Sequence, residues 1–203
     1  MEVDPVYNLK DRFGAKRLRL FIDKKLPEDK RDVIAKRSAF KSMLSVAPFT
    51  VPNRLLDFIV THTSYQLREF CYHGKRIVFT TDMVRKVFNV PSGNRAVDLI
   101  NRSVPCQLRD VYKQNNPRPP IKNAEKVLLE CDIKDEETIV RSWDLLVLAT
   151  VLNPGTGNML SMDYLGCLAD PFSSVELAWD QHILDECMLH VKKIQEKKAK
   201  LRA

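Results

Sequence analysis

The segment from Asp135 to Leu152 constrains the fold more than any other part of the chain. Asp135, Glu136 and Glu137 open it, and Asn153-Pro154-Gly155 closes it. Acidic residues favour the electropositive start of a helix, and an Asn-Pro-Gly sequence ends one. The second half of this helix is apolar on every side. Such a helix is stable only when other elements surround it, so it belongs at the centre of a core. Its longest apolar run, Leu145 to Leu152, is interrupted only by Thr150. That is far short of the ~20 residues that cross a bilayer.

The flanking pattern supplies the surrounding layers. From Asp29 to Val46, the apolar residues Val33, Phe40, Met43 and Leu44 fall near helical spacing before Pro48. Pro52 suits a first helical turn, with Leu55, Leu56, Ile59 and Val60 as the buried stripe. Arg76 to Thr80 is the best strand candidate. Thr80 or Thr81 then caps a helix bearing Met83, Val84, Val87 and Phe88, which ends at Val90-Pro91-Ser92-Gly93. A short helix is expected around Leu108, Val111 and Tyr112, a loop at Asn115–Pro120, and a helix at Ala124–Glu130. Ser161 is placed to cap a short helix. Ser173 or Ser174 is placed to start a final one carrying Trp179, Ile183, Cys187, Val191 and Ile194. The chain thus reads as mainly α, a single helical globular domain with at most a short strand or hairpin. With 203 residues it buries enough surface to fold without a disulfide or metal.

The five cysteines are widely spaced and odd in number, with no C-x-x-C. No secretory signal opens the chain. These features predict free thiols in a reducing compartment, neither secreted nor membrane-bound.

Charge is unevenly placed. Residues 1–41 hold twelve Lys/Arg against seven Asp/Glu, a net +5, and residues 192–203 hold six against one, again +5. The stretch 42–191 is left with fifteen against eighteen, a net −3. This divides the chain into a basic N-terminal arm or extension (1–28, a strand or arm through Leu18, Leu20 and Ile22), a helical domain (29–191) and a basic helical tail (192–203). Lys16, Arg17, Arg19, Lys24 and Lys25 form one candidate nucleic-acid cluster, and Lys192, Lys193, Lys197, Lys198 and Lys200 the other. Clustered cations release counterions from phosphate without reading bases, so any such binding is expected to be weak and sequence-independent. A solvated, fraying terminus explains the same residues.

Other chemistries find little support. His182, Glu186 and His190 stand at i, i+4 and i+8, and Cys187 to His190 is C-x-x-H. A zinc site usually draws about four ligands from paired short-spaced motifs, so this reads as one helix face and no metal is expected. Gly155-Thr156-Gly157 lacks the strand context and third glycine of a nucleotide loop, and no cofactor is implied. No local signature marks a nucleophile, so no catalytic residue is assigned.

Several blocks together carry a resemblance. They are LREF at 67–70, IVFTTDMVRKVF at 77–88, VPSG at 90–93, TIVRSW at 138–143, LATVLNPGTGNML at 148–160 and AWDQHIL at 178–184. Over roughly residues 40–195 the chain resembles the plant mobile domain-like, or aminotransferase-like, segment of transposon-derived plant proteins. In grasses that segment often precedes a SUMO-protease-type peptidase domain. The resemblance implies a non-catalytic interaction module of transposon origin, nuclear or nucleocytoplasmic, binding protein partners or nucleic acid. It transfers no catalytic residue. The rival class is an enzyme, either a cryptic hydrolase or a remnant of the SUMO-protease-type protein. A third reading is a decayed gene product without selected function.

Overall fold

The computed structural model describes residues 14–99, 106–114 and 116–202. The central segment forms helix α7 (Glu136–Val147), and its N-cap Asp135 accepts a hydrogen bond from the Thr138 N–H. It runs on into a π turn at Leu148–Leu152, closed by Asn153 N–H to Leu148 O at 2.9 Å. Every residue from Ile139 to Leu152 is buried, as the all-round apolar pattern requires.

The elements before α7 are, in chain order, α1 (Ala15–Lys24), α2 (Glu28–Arg37), α3 (Asn53–Thr61), β1 (Thr63–Ser64), β2 (Glu69–Tyr72), β3 (Lys75–Val78), α4 (Thr81–Phe88), α5 (Cys106–Lys113) and α6 (Ile121–Glu130). After α7 comes α8 (Trp179–Arg202). The chain is mainly helical with one small antiparallel sheet, ordered β1-β2-β3. α2 and α6 pack along α7, α1 packs on the π turn, and α8 crosses α3 and α4. The Asp29–Val46 stretch divides: α2 stops at Arg37 and a 3-10 turn follows at Lys41–Ser45. Its Phe40 and Met43 are buried as the pattern predicts. Thr80 caps α4 by accepting from Met83 N–H. Ser173 and Ser174 lie in a 3-10 turn at Phe172–Glu176, and α8 begins only at Trp179.

The polar residues that α7 and its π turn take into the core all find partners, since an unpaired one costs about 1–3 kcal/mol. Arg141 donates to Leu168 O and Ala169 O at 2.8 and 2.9 Å. Ser142 pairs with Tyr112 at 2.9 Å, Asp144 accepts from Ser38, and Thr150 Oγ1 donates to Leu146 O.

Residues 15–24 correct the reading of an N-terminal arm. The alternation Leu18, Leu20, Ile22 is outweighed by a helical stripe, Ala15, Leu18, Phe21 and Ile22, which is buried in the core while Leu20 is exposed. Gly14 N–H donates to Thr150 O at 2.6 Å, which ties the start of α1 to the π turn. A Cβ on Gly14 would lie 2.8 Å from that same oxygen, so only glycine allows the approach. Residues 1–13 lie outside the described residues.

Lys30 shows how charge is used internally. Its ammonium is buried and donates to Leu128 O, Leu129 O and Cys131 O at 2.8, 2.9 and 2.8 Å. All three N–H donors are spent on carbonyls at the C-terminal end of α6, where a cation also meets the negative end of the helix dipole. Lys30→Met removes these donors at similar volume. It is expected to destabilise the fold by about 1–3 kcal/mol. An unmoved denaturation midpoint would show that the carbonyls find other partners.

Candidate interaction surface

The two basic clusters fold differently from free arms. On α1, Arg17 holds Glu125 of α6 at 2.6 Å and Arg19 holds Asp23 at 2.5 Å. Lys16, Lys24 and Lys25 are exposed. On α8, Lys198 binds Asp57 and Thr61 Oγ1 of α3, and Lys192 lies over the Tyr65 ring and near Glu196. Lys193, Lys197 and Lys200 are exposed. Gln195, between these lysines, donates to Val60 O and Thr63 O at 2.8 and 2.7 Å. The tail is therefore helical and docked on α3. α1 packs against the π turn and the Lys41–Ser45 turn instead, so different elements anchor the two clusters.

The helical face bearing His182, Glu186 and His190 serves separate contacts. His182 Nε2 lies 2.8 Å from Tyr164 Oη, and Asn153 Nδ2 donates to Tyr164 Oη at 2.7 Å and to Glu186 Oε2 at 3.2 Å. His190 Nδ1 meets the Glu186 backbone carbonyl. The four side chains form one chain of bonds from Glu186 through Asn153 and Tyr164 to His182. Burial favours neutral His182, which lets its Nε2 accept the Tyr164 proton. This network sits where Asn153 leaves the π turn, and it locks α8 to the central helix. Among the described residues, no group of three or more His, Cys, Asp or Glu is arranged to hold a metal ion.

Cys71, Cys131, Cys167 and Cys187 are free thiols. Each is pushed above the ordinary thiol range, chiefly by loss of solvent around the sulfur. A nucleophilic cysteine needs the opposite shift. Two open depressions contain no Ser, Cys or His. One is lined by Asp29, Asp32, Val33, Lys36, Arg37, Ile133 and Glu136, the other by Asp110, Lys113, Gln114, Asn116 and Pro117.

The surface that departs most from a solvated shell is the hairpin β2–β3. The turn residues His73 and Gly74 have φ of 46° and 77°. That left-handed pair matches the twist of a two-residue hairpin. β2 and β3 pair from Glu69↔Val78 to Tyr72↔Lys75. On one face Phe58 of α3 and His62, just past its end, stack with Phe70 and Tyr72 of β2, with Phe58 and Tyr72 centroids 4.9 Å apart. On the other face Arg76 donates twice to Glu69 Oε2, and this pairing holds the Glu69 carboxyl below its usual range. β3 itself is exposed along its whole length, and Leu67, Ile77 and Val78 are 63%, 51% and 52% exposed. Nearby sequence adds Tyr72 from β2 and Met83 and Val87 from α4 to the exposed apolar residues. The sequence places a strand at Arg76–Thr80, close to the observed Lys75–Val78, but it does not reveal that both β3 faces stay open. That depends on which helices lie over the sheet.

A family model described as a domain of unknown function, DUF8566, matches residues 16–202. The chain belongs to this family. No curated protein and no solved structure shows a significant match to it. The DUF8566 match takes in α1 and the α8 tail as well as the helices between them. Among the described residues of this DUF8566 chain, no helix is long and apolar enough to cross a membrane.

Proposed function

We propose that this DUF8566 domain is a non-catalytic interaction module that engages protein through the β2–β3 hairpin. The observation that carries the reading is the open strand Lys75–Val78, which presents Ile77 and Val78 to solvent beside an edge that pairs with no strand among the described residues. Exposed strands of this kind pair with other chains unless charge or a covering element prevents it. The raised thiols of Cys71, Cys131, Cys167 and Cys187 and the internally bonded His182 support a module without a nucleophile among the described side chains. The resemblance of the sequence blocks to the plant mobile domain-like segment supports a transposon origin and a nuclear setting. Nucleic acid is the second reading. Exposed Lys16, Lys24, Lys25, Lys193, Lys197 and Lys200 favour loose, sequence-independent contact with phosphate.

A photo-crosslinking residue at Val78 tests the proposal in plant cells, with Leu20, exposed on α1, as control. Protein adducts are expected at position 78, in the nuclear fraction, and resistant to nuclease. Adducts that vanish with nuclease would transfer the function to nucleic acid. No adduct at 78, or equal adducts at 20, would remove the hairpin from it.

A further inference from the structure

We infer that the hairpin's protein partner is a second copy of this chain, joined by antiparallel pairing of β3 with β3 across a two-fold axis. The inference rests on the reading of the hairpin as a protein contact surface and names its occupant.

The register of the hairpin decides which backbone groups are free. Phe79 N–H bonds Arg68 O at 2.8 Å, one pair beyond Glu69↔Val78. In an antiparallel ladder the bonded pairs alternate, so Lys75, Ile77 and Phe79 turn their N–H and C=O toward β2. Arg76 and Val78 turn theirs outward, onto the exposed side. A partner strand can use only these outward groups.

A two-fold axis through Ile77 satisfies them all. Arg76 of one copy then faces Val78 of the other, and the reverse, giving four N–H···O=C bonds. Ile77 meets its own counterpart at a pair without backbone bonds, where side chains approach closest. Two half-exposed isoleucines are thereby covered, and the result is a continuous six-stranded sheet. This is the isologous arrangement of a closed dimer.

Charge permits this register. Edge strands are commonly guarded by Lys and Arg. Here Arg76 is folded onto Glu69 at 2.5 Å, so its charge is compensated within the same copy. Arg76 stands opposite Val78, never opposite another Arg76. Lys75 stands opposite Phe79, and the two Lys75 residues lie four positions apart. At about 3.4 Å per residue that is about 14 Å, beyond the ~8 Å screening length at physiological salt. A one-residue slip of the register would set inward-facing against outward-facing groups and lose the bonds. An axis through Arg76 would set two arginines opposite each other, and one through Val78 would call on Thr80, whose carbonyl already accepts from Val84 N–H in α4.

A four-residue edge predicts a small interface and a dissociation constant on the order of tens of micromolar. Sedimentation equilibrium on the full chain between about 1 µM and 1 mM should show a monomer–dimer equilibrium. Ile77→Lys sets like charges opposite each other and loses the buried pair, so dimerisation should weaken at least about tenfold. Val78→Pro removes an outward N–H that β2 does not use, and Pro is tolerated on edge strands. It should weaken the dimer similarly with an unchanged circular dichroism spectrum. In the unaltered chain, amide exchange should slow with concentration at Arg76 and Val78, while Ile77 is protected at every concentration. This readout holds even if a variant fails to fold. A chain that stays monomeric over the range, or a dimer that leaves the Arg76 and Val78 amides unprotected, overturns the inference. Crosslinks at Val78 to other proteins, with a monomeric pure chain, would leave the hairpin a contact surface and eliminate the self-pairing.

Discussion

Trp143→Ala is expected to cost about 3–5 kcal/mol, the range for removing a large aromatic from a core. Trp143 is fully buried on α7 and its indole N–H donates to Phe40 O at 3.3 Å. Phe40 in turn meets Trp179 edge to face at 4.9 Å, which links α7 to the start of α8. Truncation therefore leaves a cavity, frees a buried carbonyl and loosens the seat of a second tryptophan. Denaturant unfolding measures the change, with Trp143→Phe as a companion that keeps most of the volume and loses only the indole bond. A midpoint that does not move in Trp143→Ala would place the residue outside the cooperative core.

The second large effect is a dependence on pH through Asp144. This side chain is completely buried between Ser38 Oγ at 2.5 Å and Ser174 Oγ at 3.4 Å. Burial pushes its carboxyl up to about 7 from 3.8, and the two serine hydroxyls offset only part of that. The folded chain therefore holds the proton more tightly than the unfolded chain. The stability this supplies is fully present below about pH 4. It is lost as pH rises toward 7, when a charge must be carried inside the core. The span corresponds to roughly 4 kcal/mol. Asp144→Asn stays neutral throughout and keeps an oxygen for Ser38. Its stability relative to the unaltered chain should rise by that amount between pH 4 and pH 8. A difference that is flat over this range would show that Asp144 does not titrate there.

Both predictions concern α7, and that helix was the most legible part of the sequence. Its acidic start, apolar second half and Asn-Pro-Gly stop appear in the structure as expected. Tertiary packing adds the π turn, and Asn153 at its end bonds Tyr164 and Glu186. The Thr80 cap was equally local, because a capping hydroxyl needs only the N–H three residues on.

The candidate site was less legible. Lys and Arg counts mark two basic ends, yet Arg17 is held by Glu125 and Lys198 by Asp57, more than a hundred residues away in each case. Nothing near either cation in the chain announces that partner. The histidine spacing on α8 placed His182 and Glu186 on one face correctly, but their contacts come from Tyr164 and Asn153, which only the fold delivers.

By itself, then, the sequence determined the helical class, the central helix and the hairpin strand, because periodicity and caps act within a few residues. Tertiary structure alone decided which cations are neutralised, that α1 is part of the core, and that β3 remains uncovered by the described residues. Those outcomes depend on contacts between distant segments, and local pattern carries no record of them.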